Sequence, residues 1–429
     1  MGLGKTLQAI EACRLVQAKT VVVICPAILR INWRREFESR YAALPPGSKI
    51  PRLEIFSYDS LQNSSTHSRI ASIAPYVLLL DEAHYLKNHS AKRTKAVLGK
   101  SGLIHKAMHA WALSGTPMPN HPGELWPWLY TVGATTLSIS RWMERYCLIR
   151  STPFGQQISG MTRTPSAIQE LKALVQANIL RRTFAETMPD MPPLIHKTMH
   201  IEPLDINPFD WMKFEQLYTR GFVENQFKKQ RDALETSIAV YRDMGSTDHD
   251  AQQGLLQLTK DTYSLFRRFV GLIKSQVVVD MVQDELAHKI YKQCVIVAWH
   301  YDVIKYLLYQ FGDKKIKARA IHGSTTPKNR QTWIDEFQKG DGKIQVMILN
   351  PAAAGVGITL TASHHVLMVE PDWSPAVNAQ AIMRCHRIGQ TEPVLVRYFV
   401  LNDSVDERIM ATVRRKTEDQ LKISLADRL

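Results

Sequence analysis

Three groups of residues in this 429-residue sequence have types and spacings that could do chemistry. The first is Gly2-Leu3-Gly4-Lys5-Thr6, the end of a G-x-x-x-x-G-K-[ST] loop. Glycines let backbone N–H groups approach phosphate oxygens. The lysine neutralises the β and γ phosphates, and the threonine hydroxyl can ligate Mg²⁺. Gly2, Gly4, Lys5 and Thr6 are therefore candidate nucleotide ligands, with Thr6 also on the metal. Alone, the fragment reads equally well as a glycine-rich N-terminus, because the first small residue of such a loop and its anchoring strand would lie before Met1. The second group is Asp81-Glu82-Ala83-His84, directly after an apolar run. With a phosphate loop upstream, Asp81 is expected to hold Mg²⁺ and Glu82 to polarise an attacking water. The third is the pair Arg384 and Arg387, whose spacing predicts one helical face. Facing a triphosphate, they would neutralise charge on the γ-phosphate; the plain alternative is a solvated surface pair.

Smaller signals surround these groups. His84 is either a coupling residue or a packed side chain. Ser114-Gly115-Thr116-Pro117 carries two hydroxyls, Ser114 and Thr116, that can report the state of the acidic loop, although the same string is also an ordinary turn. Gly355-Val-Gly357-Ile-Thr359-Leu-Thr361 and His322-Gly323-Ser324-Thr325 suit a close approach to a phosphate backbone, and each is also a common turn. From Ala83 to Gly123 no acidic residue occurs, while Lys87, Lys92, Arg93, Lys95, Lys100 and Lys106 do. Lys314, Lys315, Lys317 and Arg319 form a second basic cluster. Both are solvated faces or the flanks of a groove for a phosphodiester chain. His105 and His109 have helical spacing but no third ligand, and are read as surface histidines.

Elements that would position these residues follow from hydropathy. Thr6–Ala18 has helical periodicity, with Leu7, Ile10, Cys13 and Val16 on one side. Thr20–Cys25, Leu53–Ser57, Tyr76–Leu80 and Ala110–Leu113 read as strands, the β-branched or wholly apolar ones as buried parallel strands. Strands that end in small or polar residues, with helices between, predict a doubly wound α/β domain with ligands at the strands' carboxyl ends. The stretch from about Pro119 to Arg182 reads as helical and aromatic, and that from Asp205 to Lys274 as a polar helical insertion. A second alternation begins near Val277, with strands at Val295–Ala298, Ala318–Ile321, Val346–Leu349, Val366–Val369 and Val394–Val400 and a closing helix at Val405–Leu421. The expected fold class is thus α/β: two RecA-like lobes of parallel sheet flanked by helices, with helical insertions between them. The expected division is 1–190 (with a protrusion at 119–182), 191–275 and 276–429.

Charge and composition bound the rest. Lys and Arg number 54 against 40 Asp and Glu, a net of +14, which is compatible with a polyanion partner without naming one. No apolar stretch reaches roughly 18 residues, so no membrane span is expected. Five scattered cysteines without a C-x-x-C pair argue against a zinc ribbon and suit a reducing, intracellular compartment. Met1-Gly2 with Thr6 also fits a myristoylation pattern, but the phosphate-loop reading explains the same residues better.

The order of these motifs resembles the Swi/Snf-type DNA-translocating ATPases of helicase superfamily 2. The matching strings are MGLGKT, CPAILRINWRREF, DEAHYLKN, ALSGTPMPNHPGELWPWL, ILRRTFAETMPDMPP, IHGSTTPKNRQTWIDEF, AAGVGITLTAS and QAIMRCHRIGQ. Within that family the sequence is most similar to the compact annealing-helicase (HARP-type) branch and its bacterial and phage relatives. The resemblance implies ATP with Mg²⁺ and a double-stranded or branched DNA partner. Lys5, Thr6, Asp81, Glu82, Arg384 and Arg387 take the ATPase roles. Gly355, Gly357 and Gln380 fall on the surface that couples nucleotide to DNA, and Pro26, Gly323, Ser324 and Thr361 near the DNA backbone. The family's adenine-reading segment and first strand have no counterpart here. The alternatives are therefore a catalytically impaired DNA-binding part of a longer or split protein, completed by an upstream polypeptide, or a strand-separating helicase.

Overall fold

In a computed structural model, the described residues are 3–45, 47–152, 155–202, 249–352, 358–402 and 404–425. The chain divides into two units. One comprises Met1–Ile149, Ile158–Thr187 and Lys416–Arg428; the other comprises Arg150–Gln157 and Met188–Arg415.

The first unit is built on four parallel strands: β1 (Thr20–Cys25), β2 (Arg52–Ser57), β3 (Tyr76–Asp81) and β4 (Ala107–Leu113), in the order β2-β1-β3-β4. The two inner strands are the most apolar. Every residue of β3 is buried, and so are Val21–Cys25 of β1. Strands buried on both faces carry unbroken apolar runs because helices cover each side. The outer strand β4 is mostly open, with Met108 67% exposed. Register puts Ile24 beside Leu80 and Asp81 beside Leu113, so the strand ends carrying the acidic pair and the Ser114–Pro117 turn lie along one edge of the sheet.

The second unit holds six parallel strands, β7 (Leu194–Ile201), β8 (Cys294–Val297), β9 (Ala318–Ile321), β10 (Val346–Leu349), β11 (His365–Met368) and β12 (Val394–Leu401), ordered β7-β12-β11-β8-β10-β9. Alternate residues of β8 enter two separate cores: Cys294 and Ile296 pack with Phe311 and Leu367, and Val295 and Val297 pack with Phe337 and Val366. The period of two along a strand produces this division. Two parallel sheets flanked by helices confirm the α/β fold class.

Several elements differ from the sequence expectation. The stretch read as an insertion from residue 191 opens with β7, which pairs along its length with β12. Its sequence, LIHKTMHI, is half polar because it forms a sheet edge, where polar residues blunt further pairing. The second alternation opens near Val277 on a helix, and its first strand after that is β8. That helix is His249–Ala287, and Val278, Val279 and Val282 pack into the core beneath it. Tertiary burial there overrides the strand preference of the valines. The protrusion at 119–182 is not purely helical. It contains β5 (Cys147–Thr152) and β6 (Gly155–Met161) between the helices Ile139–Tyr146 and Pro165–Asn178. The closing helix, Val405–Lys422, begins in the second unit, but its last residues belong to the first. Most of the stretch expected to be helical at 205–274 lies outside the described residues, which resume at 249.

Candidate nucleotide site

The helix Lys5–Leu15 starts at Gly4, whose φ of 71° is left-handed and whose absent Cβ would meet nothing within 4 Å. No side chain caps this N-terminus, so its first N–H groups remain available to an anion. Lys5 and Thr6 are both half-buried at this end. Gly2 lies outside the described residues.

Asp81 ends β3 and is 7% exposed. Trp33 Nε1 donates to its Oδ2 at 2.8 Å, and the Glu82 amide to its Oδ1 at 2.9 Å. Tyr58 Oη donates to its main-chain oxygen at 2.9 Å. Burial raises the Asp81 pKa, and the Glu82 charge adds to that. The Trp33 hydrogen bond, the Glu82 amide and the Lys5 ammonium pull the other way. An ionised Asp81 therefore gains from a nearby cation, and the chain itself supplies Lys5. Each carboxylate oxygen has one donor here and retains acceptor capacity.

Glu82 has φ 50° and ψ 51°, a left-handed backbone that is uncommon for a side chain of this size. The turn swings its carboxylate onto His84, with Oε2 at 3.2 Å from Nδ1. His84 Nδ1 is also 3.4 Å from Ser114 Oγ, which accepts from the Thr116 amide at 3.0 Å. The predicted coupling residues His84, Ser114 and Thr116 are thus one chain of contacts beginning at Glu82. Thr116 Oγ1 is buried with no hydrogen-bond partner among the described residues. Uncapped helix end, open glycine, lysine, strand-end carboxylate and unpaired hydroxyl together fit Mg·ATP. Among the described residues no group of three or more His, Cys, Asp and Glu could hold a metal unaided. A divalent ion here would need phosphate oxygens and water in its shell.

In the second unit the two arginines do not share a helical face. The helix Pro375–Ile382 ends before them. The chain continues in tighter turns, with Arg384 N bonded to Ala381 O and Cys385 N to Ile382 O, and Gly389 at φ 99° closes the segment. Gln390 fastens it: its Nε2 lies within 3.2 Å of the main-chain oxygens of Thr361, Ser363 and Cys385. Arg387 Nη1 donates to Ile358 O at 3.2 Å. Gln380 sits half-buried on the preceding helix. Gly355 and Gly357 lie outside the described residues. Among the residues expected near DNA, Pro26 is buried behind exposed Ala27 and Ile28, Gly323 and Ser324 are exposed, and Thr361 Oγ1 accepts from Gln338 Nε2 at 3.1 Å.

His105 and His109 are both exposed; His105 Nε2 lies 3.1 Å from Gly99 O, and His109 stacks on Trp111. The basic clusters are partly neutralised: Lys87 pairs with Glu124 and Lys314 with Asp280. All five cysteines are free and buried. No described helix is long and apolar enough to cross a membrane. Sequence reasoning missed Trp33 and Tyr58 as holders of Asp81. The only available hint was an indole inside CPAILRINWRREF, on the solvent-rich helix Arg30–Ala42.

Two parallel-sheet units flanked by helices, one of them ending an inner strand in a buried carboxylate, define the class of doubly wound α/β proteins. Residues 52–262 match the SNF2-related domain and residues 277–389 the helicase conserved C-terminal domain. The chain belongs to the Swi/Snf-type ATPases of helicase superfamily 2. It is 26% identical over 438 residues to the mouse DNA annealing helicase and endonuclease ZRANB3, covering 97% of this chain and 38% of that protein. It is 27% identical over 430 residues to SWI/SNF-related matrix-associated actin-dependent regulator of chromatin subfamily A-like protein 1 of Xenopus tropicalis, covering 97% and 41%. The chain therefore spans about two-fifths of the length of these two curated relatives. Among solved structures it is similar to the Sulfolobus solfataricus SWI2/SNF2 ATPase core in complex with dsDNA, at 21% identity, TM-score 0.39, and coverage of 98% and 87%.

Proposed function

We propose that this chain is the motor portion of a DNA-stimulated ATPase that tracks along duplex or branched DNA without obligatory strand separation. The observation that carries the reading is the Asp81–Glu82–His84–Ser114 chain of contacts ending β3, with Lys5 close enough to act on Asp81. Lys5 and the amides following Gly4 bind the phosphates. Thr6 and Asp81 would hold a magnesium ion, which would offset the negative charge of the phosphates. Glu82 orients the attacking water and accepts its proton, while His84 relays the state of that carboxylate to Ser114 and Thr116. Arg384 and Arg387, assigned by their motif, neutralise charge on the γ-phosphate; such groups are worth about 10³–10⁵ in rate. The name of one relative, a DNA annealing helicase and endonuclease, supports an annealing task over strand opening.

The test is Glu82→Gln, which keeps the side-chain shape and removes the base. DNA-stimulated ATP hydrolysis should fall by about 10²–10⁴-fold, with duplex binding unchanged in a mobility-shift titration. Near-native turnover in that variant would sink the assignment. Triplex displacement with no displacement of a base-paired strand would separate tracking from unwinding.

A further inference from the structure

The final turns of the closing helix touch the first unit at an informative place. Within that unit, Gln420 Nε2 donates to Met118 O at 2.7 Å, and the Met161 amide donates to Asp419 Oδ2 at 3.1 Å. Ile423 and Leu425 are buried in the cluster around Trp142 and Leu171. These contacts anchor the helix end. Lys416, four residues before Gln420, makes a contact of a different kind.

Lys416 Nζ donates to Asn120 Oδ1 at 2.7 Å. Asn120 in turn donates to Glu124 twice, from its amide to Oε2 and from Nδ2 to Oε1, both at 2.7 Å. Glu124 Oε1 receives Lys87 Nζ at 2.9 Å. Lys87 directly follows the 3₁₀ turn Ala83–Leu86, which itself begins at Glu82. Four side chains thus run from the closing helix to the acidic loop. Each is bonded to the next, and Glu124, 5% exposed, lies at the centre. Burial pushes the Glu124 carboxyl up, but Lys87, Asn120 and His121 together outweigh it, so it is held ionised. An ionised, buried carboxylate bonded on both oxygens fixes its partners in place, because any movement of one leaves charge unpaired.

We propose that Lys416 is a positioning residue for the hydrolytic loop, acting through Asn120 and Glu124 on Lys87. It touches no reacting atom. The inference rests on the reading of residues 81–84 as that loop. The closing helix begins in the second unit, so its end is the part of the first unit's scaffold most directly joined, along the chain, to the helicase C-terminal region. The geometry gives it a route to the catalytic turn that avoids the phosphate loop.

The experiment compares Lys416→Ala, Lys416→Arg, Glu124→Gln and the Lys416→Ala/Glu124→Gln double variant with the unaltered chain. Hydrogen exchange of residues 83–92 decides the inference whether or not the protein turns over. Exchange there should accelerate in Lys416→Ala by about tenfold, the scale of an ordinary coupling between sites, and return in Lys416→Arg, while the helix Arg30–Ala42 stays protected. DNA-stimulated kcat should fall by a similar factor with KM for ATP and affinity for duplex unchanged. The double variant should be no worse than Glu124→Gln alone, because both changes cut one chain of contacts. A tether that is only structural would lower the melting temperature without this local exchange or the split between kcat and KM. Unchanged exchange at 83–92 in Lys416→Ala, or failure of Lys416→Arg to restore it, overturns the proposal. An unaltered chain without DNA-stimulated turnover counts against the ATPase reading instead.

Discussion

Each unit carries a carboxylate at or just beyond the end of a central strand, and the two are bonded differently. Asp81 ends β3 in the first unit; Glu370 stands two residues past β11 in the second. Both are buried, at 7% and 3% exposure. Asp81 receives one donor on each oxygen. Glu370 is more fully bonded: Oε2 accepts the amides of Trp299 and His300 at 2.8 and 2.9 Å, and Oε1 lies 2.6 Å from His300 Nδ1. The helix His249–Ala287 also presses on it through Gly271, where a Cβ would lie 2.8 Å from Glu370 Cδ. An enclosed carboxylate with three partners fastens the start of the helix Tyr301–Asp313. One left under-bonded beside a lysine has capacity for a ligand. Position in the fold is shared, and the count of donors separates the structural carboxylate from the proposed metal ligand.

This contrast can be broken most directly by neutralising each side chain. Glu370→Ala should destabilise the protein by about 3 kcal/mol or more, because it strands buried donors, as read by urea unfolding. Asp81→Asn should change stability by only about 1 kcal/mol, since relief of burial offsets one lost hydrogen bond, yet it should abolish Mg²⁺-dependent turnover. Equal stability losses would erase the distinction. Gly271→Ala gives a smaller effect, about 1–3 kcal/mol, because Glu370 must shift to admit the methyl group; unchanged stability would mean that the packing is loose. The smallest effect is a pH shift. The folded Asp81 carboxyl binds its proton more tightly than the unfolded chain does, so its stabilising effect is present at low pH and lost as pH rises through the raised value. Turnover needs the ionised form and falls on the acid side. Trp33→Phe removes a bond that favours ionisation, so the acid limb of the pH–rate profile should move to higher pH. An unmoved limb would assign it to another group.

Much of this was legible in the sequence where burial is two-sided. The runs VVVIC and VLLLD specify inner strands because no other element needs such continuous apolarity. Asp81, Glu82 and the Ser114 turn followed directly from their places after such strands. The polar edge strand β7 was not legible, since its stability comes from pairing with β12, about two hundred residues away in sequence. Nor were the turns holding Arg384 and Arg387, which depend on the hydrogen bonds of Gln390 to distant main chain. Trp33, Glu124 and Lys416 gain their roles only through contacts across the fold, and spacing carries no trace of them.

Lys274 has a consequence for how such a sequence can change over generations. It is completely buried, its Nζ lies 2.5 Å from Asp406 Oδ2, and it donates to Phe399 O at 2.9 Å. Losing either partner alone leaves an uncompensated interior charge, at about 3–5 kcal/mol, whereas replacing both by well-packed apolar side chains is often neutral. Drift at one position is therefore blocked until the other has altered. In descendants of this sequence, Lys274 and Asp406 should be inherited, or lost, together.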